Sequence, residues 1–269
     1  MNDAVLEAVL RRDRQAVLIA LLLLTALTWA YVLWLATHMA MPGSSMPGMT
    51  MDAVAPRVRP WGGADLLFGF GMWAVMMAGM MLPSAAPVIL LYARVGRQAE
   101  AQAKPFAPTG WFAGGYLLAW SGFSVFATLL QALLTRVALL TPAMSSASDI
   151  MGGLILVAAG LYQATPLKDR CLANCRAPLS FIQRHGGFQR RALPSLVLGL
   201  RHGLYCIGCC WALMLLLFVG GVMNLVWIAS LAALVLLEKV MSDGRAISRA
   251  VGIGLFIGGL TLALEYWRA

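Results

Sequence analysis

The chain has 269 residues, of which 61% are hydrophobic and only 12% charged, with a formal net charge of +9. That balance excludes an ordinary soluble domain, where roughly 45–50% of residues are apolar and about 25% charged. It also argues against a nucleic-acid partner. The Lys and Arg residues sit between apolar runs, where membrane topology accounts for them.

Crossing the ~30 Å hydrocarbon layer takes about 20 apolar residues in a helix. Seven segments are predicted to cross, at about 16–37, 66–91, 111–134, 150–166, 204–221, 223–240 and 247–264, giving an all-α polytopic bundle with roughly 20-residue spans. The first follows Arg11, Arg12 and Arg14. Its apolar run is longer than a signal-peptide core and no A-x-A site follows it, so it is expected to remain as an anchor. Residues 1–60 then form one unit, the anchor helix plus an external loop rich in Pro, Gly, Ser and Met that carries His38, Met39, Met41, Met46, Met49 and Met51. Residues 61–269 form a second, metal-binding transmembrane unit.

The second segment concentrates sulfur. At about 100° per residue, Met72, Met76 and Met80 fall within an arc of about 80°, one turn apart, and Met77 and Met81 widen the stripe. The ladder climbs about 13 Å. Pro83 and Pro87 follow, and each removes a helical donor, which frees the carbonyls of Gly79 and Pro83 for other partners. One or two methionines would be read as gap fillers. Five in ten residues, ahead of two prolines, point to soft-metal ligation.

The fourth segment leads into the longest connection, residues 169–203, with Cys171 and Cys175 spaced i, i+4 and a short interfacial helix expected near Leu193 to Leu200. The fifth segment opens with Arg201-His202-Gly203-Leu204-Tyr205-Cys206-Ile207-Gly208-Cys209-Cys210-Trp211. His202, Cys206 and Cys210 recur every fourth residue, with Cys209 beside them, so one imidazole and three thiols share a helical face. Those donors suit Cu(I) or Zn(II). A lone Cys would be an ordinary buried residue.

Spans five and six read as a hairpin turning near Val222, which places Glu238 at the depth of Cys206. A carboxylate there needs a partner or a function, and His202, Arg201 and Lys239 are the candidates, unless it snorkels to the interface. Small residues, including the pair Gly254 and Gly258 and Gly114, Gly115, Gly152 and Gly153, are expected to allow close helix packing. Of the 20 Lys and Arg residues, 16 fall on one set of alternating connections. The positive-inside rule then puts the N-terminus in the cytoplasm and the cysteine cluster near the cytoplasmic face, where thiols stay reduced.

Four stretches, Trp73 to Pro83 (WAVMMAGMMLP), Gly160 to Arg176 (GLYQATPLKDRCLANCR), Arg201 to Met214 (RHGLYCIGCCWALM) and the pair Glu238-Lys239, together resemble a bacterial family of integral membrane proteins known only as predicted metal-binding. The resemblance covers roughly residues 60 to 265 and leaves out the N-terminal region. It implies a membrane fold and metal binding at Cys171, Cys175, Cys206, Cys209 and Cys210, and it names neither a metal nor a direction of transport.

The sequence therefore leads us to expect a multi-pass protein of the bacterial inner membrane that transports or handles a soft metal, Cu(I) first and Zn(II) second. The expected site residues are Met72, Met76, Met77, Met80, Met81, Cys171, Cys175, His202, Cys206, Cys209, Cys210 and Glu238. The expected partners are the lipid bilayer and a copper chaperone or oxidase. Two alternatives stay open, a membrane thiol-disulfide oxidoreductase built on Cys206, Cys209 and Cys210, and an assembly factor that delivers copper to a membrane oxidase. No G-x-x-x-x-G-K-[ST] loop occurs, so ATP-driven pumping by this chain alone is not expected.

Overall fold

The computed structural model describes residues 19, 21–34, 61–137, 139–140, 148–241 and 243–266. The methionine-rich loop, with His38, Met39, Met41, Met46, Met49 and Met51, lies outside the described residues. Within them there are helices and no strands: α1 (Leu21–Trp34), then α2 (Gly63–Ala101), α3 (Thr109–Arg136), α4 (Asp149–Gln163), α5 (Pro166–Arg176), α6 (Pro178–Arg184), α7 (Ala192–Leu215), α8 (Leu217–Gly220), α9 (Leu225–Val240) and α10 (Gly244–Tyr266). Four helical stretches are individually long and apolar enough to cross a membrane, namely α2, α3, α7 with α8, and α10. The α4–α5 pair passes the same test together, with a 65° bend.

That bend has a local cause. Thr165 precedes Pro166 and is therefore pushed to extended backbone, at φ −78° and ψ 146°. Its hydroxyl accepts from Lys168 N at 3.3 Å, capping a new helix with proline at its first turn. α4 ends there, and the cysteine pair expected in a loop rides on helix α5 instead. A second expectation also changes. Leu193 to Leu200 is not a separate interfacial helix but the first two turns of α7, since no helix breaker separates it from the cysteine motif.

α2 runs 39 residues, through both prolines and well past the expected end of its span. Beside the prolines, the Met81 carbonyl accepts from Ser84 Oγ at 2.8 Å and from Tyr116 Oη at 3.1 Å. At the far end of the site, Gly221 takes φ 93°, a conformation glycine tolerates, and turns the chain into α9. Asn224 caps α9 by accepting from Trp227 N, and Trp227 Nε1 donates to Leu216 O at 2.7 Å, closing the hairpin.

Close backbone contacts fix the helix directions. A Cβ on Gly199 would strike the Phe112 backbone, and one on Gly203 would meet Tyr116 and Ala119. The two positions rise together, so α3 and α7 are parallel. Gly153 faces Gly259, and Gly160 faces Gly252 and Phe256, so α4 and α10 are antiparallel. The expected pair Gly254 and Gly258 is not in this contact, because a Cβ on either would meet nothing within 4 Å. The buried glycines of α10 are seven apart, 252 and 259, and they match a pair seven apart on α4. Trp73 Nε1 donates to Gln131 Oε1 at 2.6 Å, and Tyr92 stacks on Phe112 with centroids 4.8 Å apart, so α2 and α3 are antiparallel.

Candidate functional site

The site lies where α2, α3, α5, α7 and α9 meet. α7 contributes most of it, because the i, i+4, i+8 spacing turns His202, Cys206 and Cys210 inward. Cys206, Cys209 and Cys210 are each 1% exposed and His202 is 3% exposed. The Cys209 and Cys210 thiols both donate to Cys206 O at 3.0 Å, which folds them back along the helix. From α5, Cys175 is partly buried and packs against the same core. Cys171 packs against the face of Gly208, where a Cβ would come 2.7 Å from its sulfur. Five cysteines from two helices thus share one region, and all are free thiols.

α2 supplies the facing wall. Met72, Met76, Met77, Met80 and Met81 are all buried. Met81 Sδ sits 4.0 Å from Cys210 Sγ, so the lower end of the methionine ladder abuts the thiols. Pro83 follows within the same helix.

Three polar groups outside the expected site residues complete the wall. Tyr116 Oη on α3 reaches Cys206 Sγ at 3.2 Å. Lys239 Nζ on α9 donates to Cys206 Sγ at 3.0 Å and to Ser84 Oγ at 2.9 Å. Tyr162 Oη on α4 donates to Gly208 O. A lysine close to a helix end reads as an interfacial snorkel, and the sequence held no signal that Lys239 turns inward.

Glu238 has a different partner from those expected. It is 1% exposed and forms an ion pair with Lys168 Nζ on α5, 2.7 Å from Oε2, while Gln163 donates to its Oε1 at 3.2 Å and accepts from Lys168. It neither snorkels nor meets His202, Arg201 or Lys239. The hairpin brings this end of α9 to the depth of Cys206, but consecutive residues point about 100° apart. Lys239 therefore faces the thiols while Glu238 faces the α4–α5 bend.

The His202 ring sits among aromatic rings, 5.0 Å from Phe181, 5.9 Å from Tyr116 and 6.0 Å from Phe112 between centroids. Its Nδ1 is buried without a hydrogen-bond partner. Among the described residues, no group of three or more His, Cys, Asp or Glu side chains is arranged to hold a metal ion as it stands. Zinc prefers a tetrahedral cage of such donors. What is present is a soft set, thiols in mutual contact with a thioether, and soft donors select Cu(I).

Compared with known proteins, the sequence matches the family described as PpoB2, a copper chaperone, over residues 70–262, well over half of the chain. That region holds the methionine ladder, all five cysteines and Lys239. No curated protein and no solved structure matches it.

Proposed function

Because the chain belongs to this copper chaperone family, we propose that it is a multi-pass membrane protein that takes up Cu(I) along α2 and holds it between Met81 and the α7 thiols. The observation that carries this reading is the approach of Met81 Sδ to within 4.0 Å of Cys210 Sγ, in a buried cluster that also contains Cys206 and Cys209. Thioether and thiol donors a few ångströms apart allow an ion to change ligands without ever being free. Met72, Met76, Met77 and Met80 form the approach, and His202 Nδ1 remains a donor without a protein partner. Cys175 and Cys171 on α5 extend the sulfur path toward the surface, where a copper-receiving protein docks. Glu238, whose oxygens are taken by Lys168 and Gln163, shapes the site from behind.

A membrane setting is supported by the outer faces of the helices. Leu118, Val125, Phe126, Leu129 and Leu133 on α3 and Ile253, Ile257, Leu260 and Leu264 on α10 are all exposed. Soluble proteins rarely leave such continuous apolar surface uncovered. The parallel α3–α7 and antiparallel α4–α10 and α2–α3 contacts support a reading of seven alternating crossings, with α1 as the anchor. Under the charge asymmetry, the thiols lie toward the cytoplasmic side. Ligand exchange from thioether to thiolate then runs inward, from Met39 to Met51 in the external loop that follows the anchor helix into the unit spanning 61–269.

Anaerobic Cu(I) titration of the detergent-purified protein against a competing chelator tests the reading. Tight binding is expected in the wild type, with loss of about two orders of magnitude in affinity in the Cys206→Ser, Cys210→Ser double variant. Equal binding by both proteins would remove the proposal.

A further inference from the structure

Lys239 is an unusual neighbour for a metal site. Its ammonium is buried, with 9% of the residue exposed, and its two described hydrogen-bond acceptors are the Cys206 sulfur and the Ser84 hydroxyl. The adjacent carboxylate, Glu238, is committed to Lys168 across the α4–α5 bend. The other titratable groups set around this region are Tyr116 on α3, which reaches the Cys206 sulfur at 3.2 Å, and His202, Cys209 and Cys210 on α7. The positive charge therefore stands beside the very sulfur that would take the ion, with no carboxylate to neutralise it.

Charge balance decides what such a pocket accepts. Two thiolates, Cys206 and Cys210, with Lys239 and a monovalent cation sum to zero. The same set with a divalent cation keeps one uncompensated positive charge in a region closed to water, where charges interact strongly and their burial is heavily penalised. We propose that Lys239 is a specificity-determining residue that holds a fixed positive charge against Cys206 and so admits Cu(I) while rejecting Zn(II) and other divalent ions. This rests on the copper-handling reading above and adds to it the basis of metal choice. Lys239 acts by position and charge, not as a ligand.

The test is anaerobic competition between Cu(I) and Zn(II) for the purified full-length protein, read as metal content and as the ratio of the two affinities. Lys239→Gln keeps a hydrogen-bonding group toward Ser84 and Cys206 but removes the charge. Lys239→Met removes both, and Lys239→Arg keeps the charge. Zn(II) affinity is expected to rise about tenfold or more in the Gln and Met variants, with Cu(I) affinity changing far less, while the Arg variant stays like wild type. A ratio unchanged in Gln and Met, or an Arg variant that behaves like Met, would overturn the proposal while leaving Cu(I) binding intact. Failure of the wild type to bind Cu(I) would overturn the functional reading and this inference together. Thermal melting of each variant shows whether it is folded, and the Gln variant keeps the comparison open where Met disturbs packing.

Discussion

Lys168 and Glu238 form an ion pair 2.7 Å long in which the two side chains are 0% and 1% exposed. It joins α5 to α9 across the α4–α5 bend and holds α5, with its two cysteines, against α7. Breaking a buried pair leaves one charge without compensation, which costs about 3–5 kcal/mol, whereas exchanging both partners for apolar groups is far milder. Lys168→Met and Glu238→Gln are each expected to lower the thermal midpoint in detergent markedly. The double variant Lys168→Met, Glu238→Leu is expected to be more stable than Lys168→Met alone. Equal losses in single and double variants would show that the pair does not hold the bend.

Met81→Leu separates ligation from packing. Leu conserves the volume of this buried side chain, so stability should fall by less than about 1.5 kcal/mol. Cu(I) affinity is expected to fall about tenfold, equivalent to about 1.4 kcal/mol. Cu(I) titration alongside thermal melting distinguishes the two effects. Met72→Leu, higher on the ladder, is expected to slow loading more than it weakens final affinity.

His202→Phe addresses the orphaned Nδ1. The ring already packs among Phe112, Tyr116 and Phe181, so a phenyl ring suits the nest and removes an unsatisfied buried polar atom. The variant is expected to melt at or above the wild-type temperature and to bind Cu(I) several-fold more weakly, on the order of 1 kcal/mol. Unchanged affinity would make His202 a packing residue.

The glycine contacts give a paired test of the fold. Gly199→Ala and Gly160→Ala force a methyl into the Phe112 backbone and into the Gly252–Phe256 backbone respectively. Each is expected to destabilise by about 1–3 kcal/mol or to abolish expression. Gly254→Ala and Gly258→Ala place the methyl in open space and are expected to be neutral. Stability in a detergent melt reads all four.

The sequence carried the helical class and the sulfur cluster well, for identifiable reasons. Helix periodicity alone brings His202, Cys206 and Cys210 to one face, and a methionine stripe at the same period must face a common side. Packing decided what periodicity could not. The Gly-x-x-x-Gly pattern at Gly254 and Gly258 satisfies a spacing rule, yet α4 meets α10 along Gly252 and Gly259, and spacing does not say which face finds a partner. The α4–α5 bend resides in Thr165-Pro166, whose capping chemistry ends α4 just short of the expected span of 150–166. Glu238 and Lys239 differ by one step around the helix, and only tertiary contacts show that Lys239, not Glu238, meets the cysteines. Lys168 and Tyr116 stood in segments where a single polar residue has no sequence signature for burial.

The central claim is that sulfur from α2 and α7 converges on one Cu(I) ion. X-ray absorption spectroscopy of the anaerobically Cu(I)-loaded protein reads that first shell directly. A shell dominated by sulfur is expected, losing a sulfur scatterer in Met81→Leu and collapsing to weak, heterogeneous binding in the Cys206→Ser, Cys210→Ser variant. A nitrogen and oxygen shell, or a sulfur shell indifferent to both changes, would contradict it.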